Sequence, residues 1–156
     1  MSTEALETYL HDHLAGSVAA VEMVERAIEQ NRATPFAAAL ADLVVAIRED
    51  QQTLRDLLAR LGAGESPLKK AGAWMVEKAG RLKLGDTGGP ALGRFEMLEA
   101  LGLGIQGKLA LWRALQRVSD RHPELAGLDL RTLELRAREQ HDRVEAHRLE
   151  AAIEVL

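Results

Sequence analysis

Two charged side chains fall where a helix would bury them. Phe36, Leu43, Asp50 and Leu57 recur at a spacing of seven, with Leu40, Ile47, Leu54 and Leu61 between them, so Asp50 interrupts an apolar stripe. Lys108 interrupts a second stripe, midway between Leu101 and Leu115. Gln140 falls between Leu133 or Ala137 and Val144, and His141 borders that face. Ser17 falls between Leu10 or Leu14 and Val21 or Val24, with His13 beside it. An unpaired charge is costly to bury, so a charge on a stripe implies a partner. Ser17 and Asp50 are nearly equidistant in sequence from a turn expected near Ala33, and Lys108 and Gln140 from one expected near Pro123. At about 1.5 Å per residue each pair then sits at one height near mid-helix. The expectation is an Asp50–Lys108 ion pair, with Gln140, Ser17 and His13 or His141 completing its hydrogen bonds. The alternative is a Lys108 that runs along its own helix and places its ammonium in water.

Other chemistry is sparse. The chain has no cysteine, which excludes disulfides, thiolate metal sites and a cysteine nucleophile. His11, Asp12 and His13 share one segment, and His141 and His147 share another. His13, Asp50 and His141 form a metal site only if their helices bring them together; the ordinary alternative is a set of surface histidines. Gly85-Asp86-Thr87-Gly88-Gly89 is glycine-rich but lacks the lysine and the preceding strand of a phosphate loop, so it reads as a linker. No Ser/His/Asp arrangement stands out.

The elements that would position these residues are helices. Leu6, Leu10, Leu14, Val21, Val24 and Ile28 predict a first helix over about 3–31. Thr34 caps a second, with Pro35 at its first position, over 35–61 and ending at Gly62. A short connection makes these two antiparallel neighbours. Ser66-Pro67 opens a shorter amphipathic helix over about 67–82, followed by the glycine-rich loop. Leu98, Leu101, Ile105, Leu109, Trp112 and Leu115 predict a third long helix over 91–118, which His122-Pro123 breaks. Asp129 caps a fourth over 129–155, with a stripe of Leu130, Leu133, Ala137, Val144, Ala151 and Val155. The expected fold is a single all-α domain over 1–156: two antiparallel hairpins joined by a long crossover.

That layout, hairpin, long crossover, hairpin, resembles the ferritin-like superfamily of four-helix bundles. The resemblance covers essentially the whole chain and rests on architecture. It implies a test, because catalytic members hold two metals with a Glu from each of two helices and Glu-x-x-His from each of the other two. No Glu-x-x-His occurs: the nearest segments are Glu49-Asp50-Gln51-Gln52 and Glu139-Gln140-His141-Asp142. At about 100° per residue, Glu22, Glu49, Glu99 and Glu139 point away from the apolar stripes. The expectation is a non-catalytic bundle with a structural or interaction role and no cofactor. In it the lysine ammonium fills space that a cation occupies in the metal-binding relatives. The alternative is an unconventional iron- or manganese-binding, oxidative protein that uses Asp50 and nearby histidines.

Composition limits the partners. A net charge of −4 argues against general nucleic-acid binding. No apolar run approaches the roughly 20 residues of a membrane span, and Met1 to Tyr9 carries no cationic leader followed by an apolar run, which together point to a cytoplasmic protein. Lys69, Lys70, Lys78, Arg81 and Lys83 lie beside Trp74 and Met75 on the shorter helix. They could meet an anionic membrane surface; the preferred reading is an amphipathic helix that caps the bundle. The third helix is apolar nearly all round, with Leu103, Ala110 and Leu111 opposite its main stripe, so that either the crossover helix or a second subunit covers this face; the preferred reading is self-association, with this helix as the candidate interface.

Overall fold

The computed structural model describes residues 3–63 and 89–156. They form four long helices: α1 (Glu4–Gln30), α2 (Pro35–Arg60), α3 (Gly89–Val118) and α4 (Leu130–Val155). Two single 3-10 turns, Ser119–Arg121 and Pro123–Leu125, separate α3 from α4. There is no strand among the described residues.

The helix ends follow from local chemistry. Thr34 adopts an extended backbone and its hydroxyl accepts from Ala37 N–H at 3.1 Å, while Pro35 takes the first helical position, where its missing N–H costs nothing. Gly62 closes α2 at φ 71°, a left-handed conformation that favours glycine. The N–H of Ala63 reaches back to Leu58 C=O and that of Gly62 to Ala59 C=O, the paired bonds of a Schellman ending. Asp129 caps α4 by accepting from Thr132 N–H at 3.0 Å. The boundaries fall within one residue of the sequence expectation except at the start of α3. Helix α3 starts at Gly89 rather than Ala91, because Pro90 sits in its first turn instead of ending the preceding loop.

Packing fixes the topology. One core cluster joins Leu6, Leu10 and Leu14 to Leu57, Trp112, Leu115, Leu130 and Leu133. It therefore holds the start of α1, the end of α2, the end of α3 and the start of α4. The second cluster joins Val24, Leu40, Leu98 and Ala151, which are the opposite ends of the same helices. Arg60 at the end of α2 also donates to the carbonyls of Glu124 and Ala126 beyond α3. Helices α2 and α3 consequently run parallel. The chain must travel the length of a 26-residue helix, about 39 Å, between the end of α2 and the start of α3. The expected crossover helix over 67–82, with Lys69, Lys70, Lys78, Arg81, Lys83, Trp74 and Met75, lies outside the described residues. No helix among the described residues is long and apolar enough to cross a membrane.

Candidate functional site at mid-bundle

The polar layer lies between the two core clusters. Asp50 on α2 is buried because positions 43, 47, 54 and 57 of its own stripe all face the core. Lys108 reaches inward from α3 and its Nζ donates to Asp50 Oδ2 at 2.7 Å. The same ammonium donates to Gln140 Oε1 from α4, and Gln140 Nε2 contacts Asp50 Oδ2 at 3.5 Å. Side-chain exposure is 14% for Lys108 and 4% for Asp50, so the pair is removed from water. Burial pushes the Lys108 ammonium below the usual lysine range, and the facing Asp50 carboxylate opposes that shift. Asp50 Oδ1 makes no hydrogen bond; an Arg136 guanidinium nitrogen lies 3.8 Å from it. Arg136 itself pairs with Glu49 at 2.5 Å. Three helices thus meet on one ammonium, and α2 is tied to both members of the second hairpin.

Ser17 requires a correction. It stands at this level but does not join the pair, because its hydroxyl donates to Leu14 C=O one turn back at 2.6 Å. The histidines do not join it either. His13 packs edge-on against Tyr9 with ring centres 4.6 Å apart, and burial lowers its pKa. His141 shares a 3.0 Å hydrogen bond with Gln106 and lies 3.6 Å from Asp142. Among the described residues no three His, Asp or Glu side chains gather as a metal site, so His13, Asp50 and His141 do not converge. Glu22, Glu49, Glu99 and Glu139 are all exposed. The expectation that α3 presents a second apolar face is only partly met. Leu111 is 1% exposed and packed into the core, whereas Leu103 and Ala110 are open.

Beside the pair, α1, α2 and α3 enclose a cleft of about 550 Å³. Its walls are mostly apolar: Ala20, Ile47, Leu54, Leu101, Ile105 and Leu111. Asp50 and Lys108 lie on one side of it, and Tyr9, Asp12 and His13 border it from α1. Gly16, Gly104 and Gly107 widen it. The sequence reading missed two residues of this region. Gln51 is buried on a second stripe of spacing seven, Ala37, Val44, Gln51 and Leu58, and that spacing was the available signal. Arg136 carried no such signal, because it sits next to the stripe at Ala137 rather than on it.

Comparison with protein-family models, curated proteins and solved structures finds no match.

Proposed function

We propose that this chain is a non-catalytic, ferritin-like bundle with a structural or interaction role, in which a polar layer of its own side chains takes the place of a di-metal centre. The observation that carries this reading is the Lys108 ammonium held between Asp50 and Gln140 at the level where the two core clusters meet. A cation is already present there, covalently part of the chain, and it uses the carboxylate that would otherwise serve as a ligand. The parallel course of α2 and α3 supports the ferritin-like assignment, since one long crossover is that architecture's distinguishing connection. Self-association through α3 is part of the proposal, with Leu103, 51% exposed, as its anchor.

Elemental analysis tests the reading on the full chain, both as purified and after anaerobic incubation with ferrous iron or manganese(II). Substoichiometric metal in both samples is expected. Stoichiometric iron or manganese that disappears in Asp50→Ala would overturn it in favour of a metal-binding, oxidative protein. Sedimentation of the wild type and of Leu103→Glu addresses the assembly: a shift to a smaller species is expected, and an unchanged species removes α3 from the interface.

A further inference from the structure

The cleft between α1, α2 and α3 is roomier than a bundle needs to leave. Glycine inside a helix costs about 1 kcal/mol relative to alanine, and its usual return is close approach of a neighbour. Here that return is missing. A Cβ built on Gly16, Gly104 or Gly107 would meet nothing within 4 Å. The three glycines, one on α1 and two on α3, border the same opening. The volume of about 550 Å³ falls within the range of small-molecule sites.

Open space alone does not call for a ligand; Gln51 does. It lines the cleft, is only 5% exposed, and its side-chain amide makes no hydrogen bond among the described residues. Its amide atoms are nonetheless not among the fully sealed, partnerless atoms, a group that does include Asp50 Oδ1 and Trp112 Nε1. The space they face is therefore the cleft. Open to the cleft, these atoms have water as their partner there, and a ligand hydroxyl or amide that reproduces those hydrogen bonds can take that water's place. Gln51 offers one acceptor and one two-hydrogen donor.

We infer that the cleft binds a small neutral amphiphile, an apolar body carrying a hydroxyl or primary amide that hydrogen-bonds to Gln51. The apolar body follows from the walls at Ile47, Leu54, Leu101 and Ile105. A neutral head follows from the charges already present. Asp50 and Lys108 neutralise each other, so neither is free to balance an incoming ion. Asp12 at the border disfavours an anion, and a cation would have to displace Lys108 to reach a buried carboxylate. His13, at the same border, is held toward its neutral form by burial.

The test titrates the full chain with 1-octanol, octanamide, octanoate and octylammonium, followed by amide chemical shifts and by calorimetry. Saturable binding of the alcohol and amide is expected, at least tenfold tighter than either charged analogue. Gln51→Leu is expected to weaken the alcohol about fivefold to tenfold, the loss of one hydrogen bond, while the cleft persists. Gly104→Leu fills the opening and is expected to abolish binding with an unchanged circular dichroism spectrum. The inference is overturned by no saturable shift up to the solubility limit of 1-octanol, by equal binding of charged and neutral heads, or by a Gln51→Leu protein that binds like wild type. It is also overturned if the wild type is a dimer that Gly104→Leu converts to a monomer without any octanol binding. In that case the groove seats a second copy of the chain.

Discussion

At the scale of single residues, the Asp50–Lys108 pair sets the terms. Two buried charges rarely stabilise a fold beyond what apolar side chains of similar size would, but breaking one strands the other. Lys108→Met leaves the Asp50 carboxylate with the Gln140 amide 3.5 Å from Oδ2 and Arg136 3.8 Å from Oδ1. A loss of about 3–5 kcal/mol is expected by urea denaturation. The double variant Asp50→Leu/Lys108→Met should recover most of that loss, and a double variant as unstable as the single would show that the pair contributes net stability. The pair was legible in the sequence because both charges break a spacing of seven on otherwise apolar stripes. Its surroundings were legible only in part. Gln140 lies on its stripe and joins, while Ser17 lies on its stripe and does not. A serine hydroxyl can satisfy itself on its own helix, whereas a glutamine amide at that position has to reach outward.

At the scale of elements, stripes and caps specified the four helices to within a few residues at every end. Apolar period reports which face is buried, and Thr34, Gly62 and Asp129 report where the backbone must stop bonding to itself. The start of α3 was less legible because Pro90 is compatible both with a loop and with a first helical turn. Two substitutions separate these contributions. Thr34→Ala removes the acceptor for Ala37 N–H and should cost about 1 kcal/mol, read as a lowered denaturation midpoint. Gly104→Ala adds a methyl into open space within a helix and should stabilise by about 0.5–1 kcal/mol. A destabilised Gly104→Ala protein would mean that a neighbour occupies that space after all. The cleft itself could not be read from the sequence, because spacing tells which residues face inward and not how far apart two helices stand.

At the scale of the whole molecule, protonation should weaken the fold from the acid side in two stages. Stability rises with pH wherever the unfolded chain binds more protons than the folded one. His13 protonates near 6.5 when unfolded, and burial lowers that value in the fold, with Asp12 only partly opposing the shift. Between 6.5 and the lower folded value the unfolded chain therefore holds the extra proton, and stability falls as pH drops through this window. The second stage belongs to the α3–α4 hairpin. Glu134 accepts from Arg138, Arg113 and Gln116, which holds its carboxyl down to about 2 against 4.5 unfolded. Its contribution is complete above 4.5 and is lost as pH falls toward 2. Asp129, held down by its hydrogen bonds to Thr132, and Glu145, held down by Arg148, shift in the same direction. Urea midpoints measured from pH 7.5 to 2.5 should descend in two steps. His13→Phe is expected to flatten the upper step and Glu134→Gln the lower. Because Glu134 bridges only α3 and α4 while His13 belongs to α1, the two variants should not exchange effects. A Glu134→Gln protein that lost the upper step would show that the hairpins titrate as one unit, coupled through the ammonium of Lys108.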